Sequence, residues 1–330
     1  MPNPTIALVT GGYSSEAVIS YKSAITIEKH IDPTKYTLYR IDITPQKWFH
    51  KRSTGEEVLV NKDDFSLTID EIKISFDAIF IGIHGTPGED GKLQGYFDLL
   101  NLPYTSCDAT TSAITFNKRY TVAIAGAAGF KVAKSIHLFK ESYHEKTALL
   151  KELQYPVFVK PNNGGSSIGM SKLPSAEGLQ DALDKAFKED DQVLVEEFIA
   201  GREFTIGVFK SNGKIITLPF TEVMSQNDFF DFEAKYQGKS TEVTPAKCSD
   251  EISEKVRNAA SGIYAIFNCR GVVRMDFIFN ERDQEPYLLE INTVPGQSDA
   301  SLVPQQVAAM GMNLTDFYSM LIEDALMSTK

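Results

Sequence analysis

The sequence predicts an α/β domain followed by segments of mixed α+β structure. Two observations support this fold class. Strand-like and helix-like segments alternate over the first ~105 residues, and such alternation implies a parallel sheet with connecting helices. The later segments are richer in strands. At ~150 residues per domain, a chain of 330 residues predicts about two domains or three small ones.

The N-terminal block opens with a short strand, 5–10, that is rich in branched apolar residues and ends at a pair of glycines. Ser14 or Ser15 can then cap a helix that runs to about residue 29. The further elements of this block are strands over 36–41 and 76–83 and a helix over 91–100. The strand 76–83 is nearly all apolar, as expected for a strand covered on both faces. Residues 51–75 are polar and irregular, and no element is predicted there.

Apolar periodicity and turn residues predict the remaining elements. The second block has a helix over 110–126, strands near 132–138 and 156–160, a helix over 176–188 and a strand over 192–198. The third block has strands over 203–209 and 214–222 joined by a Ser-Asn-Gly turn, a helix over 252–266, a hairpin of 272–279 with 287–291, and helices near 301–311 and 313–328. Residues 224–248 show no steady period, which indicates an ordered functional loop.

Composition excludes several classes of protein. Forty-four acidic residues against 33 basic ones give a net charge of −11, which repels phosphate backbones and argues against a nucleic-acid partner. The three cysteines fit no zinc-binding spacing, so we expect reduced thiols. The N-terminus does not have the pattern of a signal peptide, and no stretch reaches the ~18 apolar residues of a membrane helix. We therefore expect a soluble, cytoplasmic protein without a membrane partner.

The strongest local signal is the pair of segments RMDF and EIN on the predicted C-terminal hairpin. Side chains alternate along a strand, so a hairpin symmetric about Asp283 puts Asp276 opposite Glu290 and Arg274 opposite Asn292. Two carboxylates and an amide oxygen on one patch suit Mg²⁺. The alternative is a solvated face with a cross-strand charge pair.

Three other segments contain candidate site residues. KPNNGGSSIGMS offers backbone N–H groups and hydroxyls to a phosphate, with Lys160 and Lys118 as nearby cations, although it is neither a P-loop nor a GxGxxG fingerprint. HGTPGEDGKLQG follows the most apolar strand, where ligands of α/β sheets bind, and it contains His84. Glu16 could anchor an ammonium group or only face a helix dipole. VLVEEFIAGREFTI could form an adenine and ribose edge. Each of these segments also has a purely structural interpretation.

Taken in order, these segments resemble the D-alanine–D-alanine ligase family of the ATP-grasp superfamily. The resemblance runs nearly end to end, from GGYSSE through HGTPGEDGKLQG, NKRYT, VKPNNGGSSIGMS, VEEFIAGREFTI, FFDFEAKY and RMDF to LLEINTVPGQSDASLVP. It implies the ATP-grasp fold with a nucleotide-fold-like N-terminal domain, 1–106, a central domain, 107–195, and a C-terminal domain, 196–330. It also implies ligation of two D-alanines with ATP through an acyl phosphate, two Mg²⁺ ions that Mn²⁺ could replace, a role in peptidoglycan synthesis and a homodimer.

The resemblance also implies roles for individual residues. For the first D-alanine and the reaction centre these are Glu16, His84, Arg274, Ser166 and Tyr236; for the oxyanion and the second substrate, Gly296, Ser301 and Leu302. For ATP they are Lys118, Lys160, Ser167, Glu196, Glu197, Phe198, Ile199, Glu203 and Lys235; for the metal ions, Asp276, Glu290 and Asn292. The chemistry requires such groups, because cations and metal ions neutralise the transferring phosphoryl group. A lid then keeps water from the acyl phosphate.

The sequence departs from the family pattern at a few positions. Ala17 and Val18 replace an Arg-Glu pair after the glycine turn, and Gln297 falls near the expected second-substrate pocket. These departures concern the fine detail of the second-substrate site and not the class of reaction. Two alternative functions are considered separately. One is a different ATP-grasp ligase, such as a D-alanine–D-lactate ligase. The other is a non-catalytic ATP-binding regulator, although such a protein would be expected to lose the metal ligands, which are all present.

Overall fold

The computed structural model describes residues 2–146, 148–165, 168–225 and 240–327. The N-terminal elements are β1 (Thr5–Gly11), α1 (Ala17–His30), β2 (Thr37–Ile43), β3 (Trp48–Lys51), β4 (Glu57–Leu59), β5 (Leu67–Ile69), β6 (Ile72–Ile74), β7 (Ala78–Ile81) and α2 (Lys92–Leu99). The central elements are α3 (Ala109–Phe116), α4 (Lys118–Ala127), β8 (Lys131–Val132), β9 (Ser135–Phe139), β10 (Val157–Pro161), β11 (Ser171–Leu173), α5 (Leu179–Ala186) and β12 (Gln192–Glu197), with single 3₁₀ turns at Tyr143–Lys146 and Leu149–Glu152.

The C-terminal elements are β13 (Arg202–Ser211), β14 (Lys214–Thr217), β15 (Thr221–Ser225), β16 (Ser240–Val243), α6 (Asp250–Ile266), β17 (Val272–Asn280), β18 (Glu285–Asn292), α7 (Leu302–Ala309) and α8 (Leu314–Met327). Within the described ranges, no helix combines the length and the apolar character that a bilayer crossing requires.

The N-terminal sheet has the strand order β4-β3-β2-β1-β7. The strand β1 pairs in parallel with both β2 and β7, as the alternating pattern predicts, whereas β2-β3-β4 are antiparallel. Parallel β1 and β7 end at the same edge of the sheet, so the segments that follow them meet there. This topology brings Glu16, after β1, close to His84, after β7.

Short strands also form in a segment where no element was predicted. β4, β5 and β6 lie within residues 51–75, which carry no regular pattern of apolar residues. Each has three residues and is largely exposed or half-buried, so neither an apolar run nor a sustained alternation marks it.

Two predicted elements are interrupted in the structure. The helix expected over 110–126 breaks at Asn117, whose backbone is extended and whose side chain accepts the N–H of Tyr120, so a second helix starts there. The strand expected over 214–222 splits into β14 and β15 around Pro219, which cannot donate a ladder hydrogen bond. The expected serine cap of α1 is also displaced: Glu16 is the N-cap, and Ser14 Oγ accepts the Glu16 N–H at 3.3 Å.

The central antiparallel sheet, β11-β10-β12-β9, has a core of its own. Its buried residues all come from the interval 138–195, for example Leu138, Val159, Leu183 and Val195. The alternating residues of β10 and β12 point away from this core, so Lys160 and Glu196 lie on the other face. The central unit therefore presents one apolar face to α5 and one face that carries charged residues.

The C-terminal sheet has the order β16-β15-β13-β17-β18-β8, with β14 on β13. Its two faces contribute to two cores. One contains residues of α6 and of α3–α4, such as Ile263 and Ala125. The other joins this sheet to the N-terminal domain, because Ile6 and Phe80 share a buried cluster with Phe209 of β13 and Phe317 of α8.

Candidate active site

Four polar side chains share one patch on the C-terminal hairpin. The register pairs Arg274 with Asn292 and Asp276 with Glu290, as a hairpin symmetric about Asp283 predicts. A bulge between Asp276 and Phe277 shifts the register toward the turn. The Arg274 guanidinium donates to Asp276 at 3.0 and 2.8 Å and lies 3.7 Å from a Glu290 oxygen. Burial opposes its charge, but Asp276 and then Glu290 raise the pKa of Arg274 above its ordinary value.

The donor set of this patch fits a hard divalent cation. Asp276 is almost fully buried and accepts a short hydrogen bond from Thr205, while Glu290 lies opposite it. The Asn292 Nδ2 atom is buried without a hydrogen-bond partner, and a flip of the amide would present its oxygen at the same position. Two carboxylates and an amide oxygen are typical magnesium ligands.

The patch forms one wall of a cavity of about 350 Å³ between the N- and C-terminal domains. Besides the hairpin residues, the predicted site residues that line it are Glu16, His84, Glu203, Gly296, Ser301 and Leu302. The Glu16 carboxylate lies against two glycines. A Cβ added at Gly85 would lie 2.5 Å from Glu16 Oε2, and one added at Gly165 would lie 3.0 Å from Oε1. Only glycine leaves room for this carboxylate, and Gly85 also has a left-handed φ of +67°.

His84 reaches the cavity wall but uses both ring nitrogens within the protein. Its Nδ1 lies 2.7 Å from the Val294 carbonyl oxygen, and its Nε2 lies 2.9 Å from Ser23 Oγ. Burial, with a smaller contribution from Arg274, lowers the pKa of His84 to about 4. The imidazole is therefore neutral at physiological pH and is held in place by two protein partners.

The far end of the cavity is formed by the segment after β18 and by the start of α7. A Cβ at Gly296 would lie 2.7 Å from Ser301 Oγ, so glycine is required for this close approach. Ser301 Oγ also lies 2.7 Å from Ser298 Oγ and accepts the Ser298 N–H at 3.1 Å. The side chain of Gln297 does not line the cavity: it is buried, and it accepts the Tyr318 hydroxyl at 3.3 Å.

The outward face of the central sheet carries the predicted nucleotide residues. Lys160 and Glu196 form a salt bridge in which both side chains are about nine-tenths buried. Lys118, at the N-terminus of α4, donates to the Gly164 carbonyl at 2.6 Å and so reaches the glycine loop. Lys118 therefore contacts the loop, and Lys160 lies on the strand that leads into it, so both cations could bind phosphate oxygens there.

The hinge between β12 and β13 contains the remaining predicted nucleotide residues. Glu197 points away from Glu196 and accepts the Gln154 N–H at 2.7 Å. The Phe198 N–H donates to the Pro156 carbonyl, and Lys172 lies 4.1 Å above the Phe198 ring. Ile199 is half-buried. Glu203, on β13, lies beyond the hinge at the cavity. Ser166, Ser167, Lys235 and Tyr236 lie outside the described residues.

Glu89 is a pocket residue that the sequence analysis did not single out. Its carboxylate lines the cavity together with Glu16 and accepts the N–H groups of Gly85 and Val294. Burial and then the nearby Glu16 raise the pKa of Glu89 to about 8. The signal was available, because Glu89 lies within HGTPGEDG after β7, where sheet topology predicts a ligand.

Family models and individual proteins of known name match this chain over almost its whole length. The family model "D-ala D-ala ligase N-terminus" matches residues 5–107, and "D-ala D-ala ligase C-terminus" matches residues 124–323. A D-alanine--D-alanine ligase of Flavobacterium johnsoniae is 44% identical over 97% of this chain and 99% of that protein. One of Parabacteroides distasonis is 45% identical over 98% of each.

Solved structures of ligases also match the fold of this chain over nearly its whole length. The VanG D-Ala:D-Ser ligase from Enterococcus faecalis superimposes with a TM-score of 0.89 at 29% identity, covering 98% of this chain and 99% of that one. A D-alanine--D-alanine ligase from Bacillus anthracis complexed with ATP gives a TM-score of 0.77 at 27% identity, covering 99% and 98%. With both family models matched and the cavity assembled where their motifs meet, the chain belongs to the D-alanine–D-alanine ligase family, with the ATP-grasp fold.

Proposed function

We propose that this protein joins two D-alanine molecules to D-alanyl-D-alanine with ATP, releasing ADP and phosphate, and so supplies a peptidoglycan precursor. One observation carries the proposal: a single cavity contains the Glu16 carboxylate, the Arg274 guanidinium, the acid–amide patch and the Gly296 segment. A ligase needs these functions together. It must hold an ammonium, stabilise an oxyanion, neutralise a transferring phosphoryl group and bind a second carboxylate.

In this proposal the first D-alanine is held by its ammonium at Glu16, and its carboxylate takes the γ-phosphoryl group of ATP. The second D-alanine, bound by its carboxylate near Ser301 and Leu302, attacks the acyl phosphate with its free amine. The resulting tetrahedral oxyanion lies between the Arg274 guanidinium and the Gly296 N–H. The bond between the carbonyl carbon and the phosphate oxygen then breaks, the departing phosphate takes up the proton lost by the attacking nitrogen, and the amide bond remains. Donors fixed before the reaction stabilise the developing charge without reorganising.

The proposed metal site consists of Asp276, Glu290 and Asn292 and would hold two Mg²⁺ ions, which Mn²⁺ could replace. When bound, the metal ions would neutralise charge on the β- and γ-phosphates. The Arg274 guanidinium contacts both Asp276 and Glu290, and its positive charge reduces the repulsion between the two carboxylates. The orphan Asn292 amide supports this assignment, because a buried polar atom without a partner is costly unless a ligand satisfies it.

The proposed nucleotide site follows the outward face of the central sheet. Lys118 and Lys160 hold phosphates, Glu196, Glu197, Phe198 and Ile199 form the adenine edge, and Glu203 contacts the ribose. Lys235, Tyr236, Ser166 and Ser167 complete the lid in this proposal on the family resemblance alone. The Lys160–Glu196 pair, which lies on the face of the sheet opposite its apolar core, supports this path. The enzyme acts in the cytoplasm as a homodimer. Light scattering of the purified protein tests the dimeric state.

The decisive experiment measures phosphate release from ATP and Mg²⁺ with and without D-alanine, followed by mass spectrometry of the product. We expect release to depend on D-alanine and the product to be the dipeptide. Glu290→Gln should abolish turnover, while Mg²⁺-independent nucleotide binding persists. D-alanine-independent hydrolysis, or no turnover at all, would contradict the proposal.

The acceptor is tested in the same assay with equimolar D-alanine, D-lactate and D-serine. We expect the dipeptide D-alanyl-D-alanine as the main product at pH 7.5. Mainly D-alanyl-D-lactate would instead support the D-alanine–D-lactate ligase alternative. Mainly D-alanyl-D-serine would assign the activity named for the VanG neighbour.

A further inference from the structure

One segment of the C-terminal domain is held from two sides by side chains of the N-terminal domain. This segment, Val294–Gln297, follows β18 and contains Gly296. On one side Glu89 Oε1 accepts the Val294 N–H at 3.3 Å, and its other oxygen accepts the Gly85 N–H at 2.6 Å. A single carboxylate thus links backbone groups of the two domains. Glu89 and Val294 are 205 residues apart in sequence.

On the other side the same segment is held through His84. Because the Val294 carbonyl can only accept, the His84 Nδ1 atom must carry the proton at this 2.7 Å contact. Burial keeps the ring neutral, so Nε2 accepts from the Ser23 hydroxyl at 2.9 Å. The Ser23 oxygen in turn accepts the Gln297 N–H at 3.0 Å. A continuous chain of hydrogen bonds therefore runs from Gln297 through Ser23 and His84 back to Val294.

We propose that Glu89, together with His84 and Ser23, forms a clamp that positions the Gly296 N–H for the transition state. This inference rests on the proposed function, in which Gly296 donates to the oxyanion. Both backbone polar groups of Val294 and the N–H of Gln297 are held. The Pro295 carbonyl, which shares a peptide unit with the Gly296 N–H, accepts from Gln297 Nε2 at 3.3 Å, so the peptide units on both sides of Gly296 are restrained. Glu89 and His84 are then positioning residues, since each acts on the reaction through the backbone it holds.

The clamp differs from the role that the family resemblance gives to His84. A side chain beside the substrate ammonium would need a free nitrogen, whereas both His84 nitrogens are engaged and the residue is only 6% exposed. The backbone N–H of His84 also donates to Ser20 Oγ at 3.0 Å. The geometry therefore favours a role in fixing the loop over one in contacting the substrate.

The test uses Glu89→Gln at about pH 9, where the original carboxyl group, with its raised pKa of about 8, is ionised and accepts with both oxygens. The substitution keeps the size of the side chain but exchanges one acceptor oxygen for an NH₂ group. The new side chain cannot accept from both Gly85 and Val294. We expect kcat to fall about tenfold to hundredfold, because small displacements of catalytic donors have effects of this size, while KM for ATP changes less than about twofold. A phosphinate analogue of D-alanyl-D-alanine, a mimic of the tetrahedral intermediate, should bind more weakly by a similar factor.

The matched control is Asp90→Asn. Asp90 lies on the same loop, but its carboxylate bonds Thr86 and Lys92 and does not line the cavity. The kcat of the Asp90→Asn enzyme and its affinity for the analogue should stay close to those of the unsubstituted enzyme. Equal losses in both variants would show general damage to the loop and would overturn the clamp. Unchanged kcat and analogue binding in Glu89→Gln would overturn it as well.

A second variant tests the other side of the clamp without disturbing Glu89. Ser23→Ala removes the hydroxyl between His84 and Gln297, and we expect a similar loss of kcat. In both variants amide hydrogen exchange of a peptide covering 288–300 should be at least about tenfold faster than in the unsubstituted protein. This readout does not need catalysis, so a protein that fails to ligate D-alanine refutes the proposed function, and unaltered exchange refutes the clamp.

Discussion

At the scale of single residues, the buried pair of Lys160 and Glu196 links the stability of the fold to the proposed nucleotide site. The two side chains are 11% and 8% exposed. Such a pair contributes little net stability compared with apolar residues, but removal of one member leaves the other charge uncompensated. The pair therefore makes Lys160 important for folding as well as for the proposed phosphate contact.

We accordingly predict that Lys160→Ala lowers the free energy of unfolding by about 3–5 kcal/mol and also weakens ATP binding. Urea unfolding and calorimetric titration measure the two effects. Lys73→Ala is the control, because Lys73 pairs with Asp64 at the surface, where an ion pair is worth about 0–1 kcal/mol. A loss below about 1 kcal/mol for Lys160→Ala would contradict the burial argument.

His84 gives a residue-scale prediction about pH. Its pKa of about 4 in the folded protein lies below the ordinary 6.5, so the unfolded chain binds the proton more tightly. The stabilisation is complete above about pH 6.5 and is lost as the pH falls toward 4, in total about 3 kcal/mol. Between pH 7 and 4, His84→Gln should therefore lose about 3 kcal/mol less than the unsubstituted protein in urea unfolding. Parallel curves for the two proteins would refute the prediction, and His30→Gln, outside this network, is the control.

At the scale of elements, the break between α3 and α4 orients a predicted phosphate ligand. Asn117 ends α3 and caps α4 through the Tyr120 N–H. The Lys118 N–H donates to the Asn162 carbonyl at 3.1 Å, and the Arg119 N–H donates to the Asn162 side chain at 2.8 Å. Because α4 begins beside the glycine loop, its first residue, Lys118, reaches that loop.

We predict that Asn117→Ala costs about 1 kcal/mol of stability, the usual value of an N-cap, and weakens ATP binding because Lys118 is no longer held. Asp108→Ala removes the comparable cap of α3, whose side chain accepts the Thr111 N–H at 2.8 Å. It should cost similar stability and leave ATP affinity nearly unchanged. Equal changes in ATP affinity would argue against an orienting role for the break.

At the scale of the whole molecule, packing divides the chain into a separate central unit and a joined remainder. The core of the central sheet draws only on residues 136–195. The N- and C-terminal parts share a buried cluster, in which the ring of Phe80 meets that of Tyr318 at 5.6 Å. The domain boundaries at 106/107 and 195/196 remain predictions. The helices α3 and α4 lie between these two boundaries in sequence, yet they pack against the C-terminal sheet.

We predict that Leu183→Ala destabilises the central unit alone. Leu183 is 2% exposed within that core, and deletion of such a side chain costs about 2–5 kcal/mol. Hydrogen exchange should accelerate in peptides from 136–195 and stay unchanged in β1 and β7. Phe80→Ala, the counterpart in the shared cluster, should accelerate exchange in both the N- and C-terminal parts. Uniform acceleration by Leu183→Ala would show that the protein unfolds as one unit.

Local rules of the sequence determined much of the proposed reaction centre. The alternation of side chains and the symmetry of one hairpin place Arg274, Asp276, Glu290 and Asn292 on one face, and the structure has that register. The parallel arrangement of β1 and β7 likewise brings Glu16 and His84 to one edge. These features depend on residues close in sequence or on a connection whose geometry is restricted.

Only the tertiary structure decided how that centre is held. The contacts of Val294 with His84 and Glu89 join residues 210 and 205 positions apart, and no periodicity relates such positions. The bulge between Asp276 and Phe277 and the break at Asn117 were likewise absent from the elements predicted from the sequence. The chemistry of the site therefore follows from the sequence, whereas the position of its backbone donors depends on how the N- and C-terminal domains pack together.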